Sequence, residues 1–204
     1  MKRMLGRMKL AFYERQLGIR TEEWFRPVDN SLNGDMVRYE PTHYGRLRRI
    51  FAGLKMSPED VFIDLGSGKG RVVCSAARLR LKKIIGVELD DGLIGCAREN
   101  LRIMKGARTP ASIVRCDAAQ YRFTDETVVF IFNPFGLMTL RSVLENIRDS
   151  IERMPRKVRI AYYNPQHRVL LDAQDWLSLE RRIPRSDCLV WASLQERAID
   201  GALE

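Results

Sequence analysis

Three glycines and one acid pose the first chemical question. In VFIDLGSGKGRVV, residues 61 to 73, Asp64 stands two residues before Gly66, and Gly68 and Gly70 follow at alternate positions. Glycines so spaced let a chain turn tightly at a strand end and let a ligand approach its backbone. The ligand could be a nucleoside triphosphate, a dinucleotide, or a molecule that presents a positive charge. A triphosphate loop ending at Gly68-Lys69 needs a glycine where Ile63 stands and a hydroxyl where Gly70 stands, and the next residue is Arg71. Asp64 would also bring a carboxylate towards bound phosphates. A dinucleotide loop starting at Gly66 and Gly68 asks for a third glycine where Arg71 stands, at the point where helix and strand lie close, which disfavours an NAD-dependent oxidoreductase. A carboxylate at the strand end suits the positively charged ligand.

S-adenosylmethionine carries both an ammonium and a sulfonium, and the string D-L-G-S-G-x-G resembles the first motif of the class I methyltransferases. That resemblance implies an α/β fold with a doubly wound, mostly parallel, seven-stranded sheet and S-adenosyl-L-methionine lying across its strand ends. It gives the cofactor loop to Asp64, Gly66, Ser67, Gly68 and Gly70. Glu88 closes IIGVELD 20 residues after Gly68, where a carboxylate can accept hydrogen bonds from both ribose hydroxyls. Asp117 and Ala118, after the strand-like SIVRC, become neighbours of the adenine; for Asp117 an ordinary turn aspartate is the competing reading.

A fourth apolar run ends in FIFNPFG, residues 130 to 136, which puts Asn133, Pro134 and Phe135 beside the methyl donor. An asparagine carbonyl can hold an acceptor N–H so that the nitrogen lone pair points at the methyl carbon, while a phenyl ring excludes water. The segment is similar to the [DN]PP[YF] signature of amino methyltransferases but lacks the second proline. Taken together, RYEPTHYG (38 to 45), DVFIDLGSGKGRVV (60 to 73), IIGVELD (84 to 90) and TVVFIFNPFG (127 to 136) resemble the seven-strand, non-SET histone-lysine methyltransferases and related bacterial proteins. The resemblance implies a lid of Tyr39, Glu40, Pro41, Thr42 and Tyr44, with Tyr39 and Thr42 near the cofactor, and an acceptor wall of Asn133 and Phe135. Packing of a helix ahead of the sheet is the alternative for Tyr39 and Tyr44. The family's turn has extra residues between Asn and Phe-Gly where this chain has only Pro134.

The elements that must hold these residues are legible in the hydrophobic pattern. The runs VFIDL, KIIGVEL, SIVRC, TVVFIF and VRIAYY alternate with helical stretches near 70 to 80, 91 to 105 and 137 to 153, which predicts a parallel sheet covered on both faces. WLSLERR and CLVWASLQ, separated only by a short turn region, predict a C-terminal antiparallel hairpin. The opening MKRMLGRMKLAFYERQLGI reads as a basic amphipathic helix. Residues 1 to 56 then form a helical extension with the lid, and 57 to 204 the cofactor-binding domain. YYNPQH, 162 to 167, repeats the Asn-Pro turn and could present Tyr163, Asn164 or His167 to the same cleft.

Composition bounds the rest. A chain of 204 residues, 45% hydrophobic, suits one domain with a sizeable core. Cysteines at 74, 96, 116 and 188 form no CxxC pair and only two histidines could join them, so neither a zinc site nor a disulfide framework is expected. No apolar run approaches a membrane span and no secretory signal opens the chain, so a cytoplasmic protein is expected. The net charge of +9 favours anionic partners, and basic clusters at 46 to 49, 78 to 83, 153 to 159 and 181 to 185 are the candidate contacts. The reading is a class I methyltransferase acting on a nitrogen of a protein, with lysine as a candidate acceptor. RNA or a small molecule is the alternative acceptor, and a non-catalytic binder of S-adenosylmethionine or S-adenosylhomocysteine is the alternative of another class.

Overall fold

The apolar runs of the sequence become the centre of one sheet. A computed structural model describes residues 2–22 and 40–194. Helix α1 (Lys2–Leu17) and helix α2 (Tyr44–Leu54) precede strand β1 (Val61–Leu65), α3 (Arg71–Ala76), β2 (Lys83–Glu88), α4 (Asp91–Ile103) and β3 (Ala111–Arg115). Then come β4 (Val128–Ile131), α5 (Leu137–Arg153), β5 (Arg159–Tyr163), α6 (Arg168–Asp172), β6 (Leu177–Ile183) and β7 (Cys188–Ser193). The strands run in the order β3-β2-β1-β4-β5-β7-β6. Pairing is parallel from β3 to β5 and antiparallel where β7 meets β5 and β6. This is the doubly wound, seven-stranded sheet that the resemblance implied, with the terminal hairpin that the pattern predicted.

Every residue of β1 and β4 is buried, as expected of strands covered on both faces. One face packs under α5, whose Leu140, Val143, Leu144 and Ile147 share a core with Ile63, Val129 and Trp191. On the other face Leu47, Ile50 and Leu54 of α2 join Phe62, Val128 and Phe130. Each such side chain contributes about 1.5–3 kcal/mol of transfer free energy. The pre-sheet helix α2 is therefore a layer of the sheet's own core. Helix α4 is capped by Asp90, whose carboxylate accepts from the Leu93 N–H at 2.8 Å. The helix expected near 70 to 80 is shorter, ending at Ala76, and Leu79 N–H closes a turn on the Ala76 carbonyl.

The chain winds one way from β1 to β3 and the other way from β4 onward, so the crevice of such a fold opens between the C-terminal ends of β1 and β4. The glycine loop leaves the first of these strands and the Asn133 turn leaves the second. No helix among the described residues is long and apolar enough to cross a membrane.

Candidate functional site

Directly after β1 the backbone reverses. Gly66 and Ser67 both donate to the Val87 carbonyl of β2 at 2.9 Å, and Gly66, Gly68 and Gly70 have φ of 72°, 54° and 79°. Side chains with a Cβ rarely adopt these angles. At Gly66 space forbids them too, because a Cβ there would lie 2.1 Å from Cβ of Pro134. The first glycine thus lets the turn after β4 seat itself on the loop after β1. The Ser67 side chain lies over Gly86 of β2, its buried hydroxyl oxygen without a hydrogen-bond partner.

Two carboxylates flank this loop. Asp64, the penultimate residue of β1 and 3% exposed, has one oxygen buried with no hydrogen-bond partner. Burial, reinforced by the nearby charge of Glu88, holds its pKa well above the ordinary carboxylate value. Glu88 accepts Gly68 N–H on one oxygen at 2.8 Å, and Leu89 and Asp90 N–H on the other at 2.8 and 3.1 Å. Burial raises its pKa above the ordinary carboxylate value, and these backbone donors offset only part of that rise. A carboxylate has about four acceptor directions, so three donors leave Glu88 room for about one ligand hydroxyl.

The turn after β4 is held from β5. Asn133, buried and at φ 41°, accepts the Tyr162 hydroxyl on its side-chain oxygen at 2.6 Å and donates its amide to the Asn164 carbonyl at 2.8 Å. Asn164 is itself left-handed at φ 49°, so the two Asn-Pro turns of the sequence meet at neighbouring strand ends. One lone pair and one amide hydrogen of Asn133 remain for another molecule. Phe135 is buried in the core beneath α5, and Pro134 is partly exposed above Gly66. On the opposite face, Phe132 and Tyr163 have ring centroids 4.4 Å apart, and the Tyr163 hydroxyl accepts from Arg46 at 2.6 Å.

Among the other expected residues, Thr42 is buried and its carbonyl accepts from Arg71 at 3.0 Å. Tyr39 lies outside the described residues. Tyr44 stacks on Tyr13 of α1 with centroids 5.2 Å apart, which is the packing alternative. Asp117 caps the short 3-10 turn Ala118–Gln120 by accepting from Ala119 N–H at 2.9 Å, and Ala118 is buried behind it. Among the described residues no group of three or more His, Cys, Asp or Glu side chains could hold a metal ion, and the four cysteines are free.

Sequence reasoning missed the residues that fasten the loop from behind. Arg71 donates to the Thr21 hydroxyl at 2.7 Å and to Glu14 at 3.4 Å, with its guanidinium 4.5 Å above the Tyr44 ring. Asn100 of α4 donates its amide to the carbonyls of Lys69 and Arg20 at 2.9 and 3.0 Å and accepts from Arg20 N–H at 2.9 Å. The presence of Arg71 where a dinucleotide loop wants glycine was the one available signal. Asn100→Ala strands these buried groups and is expected to cost about 1–3 kcal/mol, read as a lower urea midpoint at unchanged slope.

The chain matches the family described as histone methylation protein DOT1 over residues 33–126. It is 33% identical over 118 residues to a protein-lysine N-methyltransferase of Saccharolobus islandicus, covering 57% of this chain and 69% of that one. It is 40% identical over 68 residues to a probable ribosomal RNA small subunit methyltransferase A of Methanosarcina mazei, covering 30% of this chain and 25% of that one. Its fold is similar to that of an RNA methyltransferase from Salinibacter ruber solved with S-adenosyl-L-homocysteine, at TM-score 0.57 and 24% identity over 81% of this chain and 100% of that one.

Proposed function

The chain belongs to the class I S-adenosylmethionine-dependent methyltransferases, and we propose that it methylates a nitrogen of a protein, with a lysine side chain as the acceptor. The observation that carries this reading is the seating of Pro134 on Gly66, which brings the turn that contains Asn133 onto the glycine loop. The residues present fit the cofactor. A buried Asp64 oxygen without a partner suits an ammonium, and the remaining acceptor direction of Glu88 suits a ribose hydroxyl. Gly66, Ser67, Gly68 and Gly70 give the backbone close approach, with Asp117 and Ala118 assigned to the adenine and Thr42 to the near side. The cofactor, when bound, supplies an electrophilic methyl group on a sulfonium.

Asn133 then holds the acceptor nitrogen through its free lone pair, in an orientation fixed by Tyr162 and Asn164. A lysine must reach the site as the neutral amine, and the buried ring of Tyr162, whose hydroxyl meets Asn133, favours that form, water taking the proton. Two features favour a protein acceptor. One is the relative from Saccharolobus islandicus, a protein-lysine enzyme. The other is the apolar surface beyond each Asn-Pro turn: Leu137 and Met138 are 44% and 68% exposed, and Val169 is 75% exposed. Side chains of this kind give a peptide something to lie on.

RNA is the second reading, favoured by a specific observation: two of the four basic clusters converge near Asn164. Arg49 donates to the Arg185 carbonyl at 3.3 Å, and Arg46 lies 3.0 Å from Asp187, whose carbonyl accepts the Asn164 N–H. Incubating the protein with methyl-labelled S-adenosylmethionine and separate protein and RNA fractions of a cell extract tests the choice. The expected result is protease-sensitive, nuclease-resistant label that falls about tenfold in Asn133→Ala, one hydrogen bond's worth of positioning, while cofactor affinity is unchanged. Label confined to RNA would replace the protein reading with the second, and unchanged turnover in Asn133→Ala would remove its assigned role.

A further inference from the structure

Away from the strand ends, α1, α2 and the segment through α3 present helical stripes that meet without filling the space between them. The stripes carry Tyr13 and Leu17 from α1, Leu47, Arg48 and Phe51 from α2, and Arg78 just beyond α3. They line an open cleft of about 400 Å³. Small-molecule pockets span about 300–1,000 Å³. The cleft therefore has the size of a ligand site.

Its lining says which ligand. Tyrosine and phenylalanine rings and leucine side chains make the walls apolar. Arg48 and Arg78 are both exposed, and among the described residues neither forms an ion pair or a hydrogen bond. Two uncompensated guanidinium groups beside an apolar cleft complement a molecule with a greasy body and one negative head. We propose that this cleft binds a small amphipathic anion, its apolar chain or ring between the three helices and its anionic group at Arg48 and Arg78. The site stands on its own geometry and does not depend on the acceptor proposed above.

Calorimetric titration of the full chain with decanoate, below its micelle-forming concentration, tests this, with decanol and decyltrimethylammonium in parallel. The expected result is one saturable site for decanoate, at least tenfold tighter than for either control. The double variant Arg48→Gln, Arg78→Gln is expected to lose at least tenfold in decanoate affinity and little in decanol affinity. Ala52 is exposed and lines the cleft, so Ala52→Trp fills it from the rim and is expected to abolish binding. All three positions are at the surface, and unchanged thermal melting and S-adenosylmethionine titration verify that each variant is folded. Absence of saturable decanoate binding, equal affinity for decanol, or binding that survives Ala52→Trp would overturn the proposal. Co-sedimentation with anionic vesicles in the absence of decanoate binding would overturn it as well, giving the arginines to a membrane surface.

Discussion

Asp64→Asn is expected to weaken S-adenosylmethionine binding by about 100-fold, some 2.7 kcal/mol, and at the same time to raise the melting temperature of the ligand-free protein. Both effects have one cause. The Asp64 carboxyl is buried, one oxygen has no partner, and its native pKa lies well above the ordinary 3.8. A carboxyl whose pKa is raised by folding binds its proton more tightly in the native state. The native state therefore loses stability as pH climbs from the unfolded value through the native one. Below pH 3.8 the group is protonated in both states and the penalty vanishes. Stability curves of the parent and the amide variant should therefore meet in acid and separate towards neutral pH, the variant being the more stable by about 0.5–2 kcal/mol. Calorimetric titration reads the first effect and denaturation across the pH range the second. A variant that binds the cofactor as tightly as the parent would remove Asp64 from the cofactor site. One that is less stable at neutral pH would show that the carboxylate has a partner in the fold.

Gly66→Ala is expected to destabilise the protein by about 2–5 kcal/mol. Of this, about 1–2 kcal/mol is the cost of the left-handed backbone for a residue with a Cβ, and about 1–3 kcal/mol is overpacking. The second part has an identified neighbour, since the new methyl would lie 2.1 Å from Cβ and 2.8 Å from Cγ of Pro134. Pro134→Gly removes both atoms. In a double-mutant cycle the pair should lose less stability than the sum of the single variants, by about 1–3 kcal/mol. Strict additivity in urea denaturation would mean that the loop and the turn do not touch. Cofactor affinity should fall with Gly66→Ala and recover in part in the double variant.

The sequence carried the sheet almost strand by strand, because strands covered on both faces need unbroken apolar runs, and VFIDL became Val61–Leu65 without adjustment. The glycine loop was legible for a similar reason: few local structures call for that residue at alternate positions. The fastenings behind the loop were not legible. Asn100 meets Arg20 across 80 residues and Arg71 meets Glu14 across 57, and no local pattern encodes a contact at that distance. Between the adjacent tyrosines 162 and 163, side chains alternate faces along a strand, so only the placement of β5 could say which hydroxyl reaches Asn133. Tyr44 carried two readings in the sequence, lid and helix packing. The residue lies in a stack with Tyr13 beneath Arg71, the packing that the second of these described. Asp117, by capping Ala118–Gln120, kept the turn chemistry that its residue type alone suggests.

The contact between Gly66 and Pro134 also sets a timetable for the nascent chain. Sixty-eight residues separate the two, and the fastening of Lys69 by Asn100 spans 31. On a ribosome adding roughly 5–20 residues each second, the loop leaves the exit tunnel seconds before its last support. Until then the Asp64 carboxylate and the apolar run before it have only part of their cover. Long-range closures of this kind are slow as well as late, since their loop entropy is lost before the contact repays it. Ribosome-bound chains halted with Asn100 exposed but Pro134 still in the tunnel should be protease-sensitive around Gly66, and those released past β5 should resist.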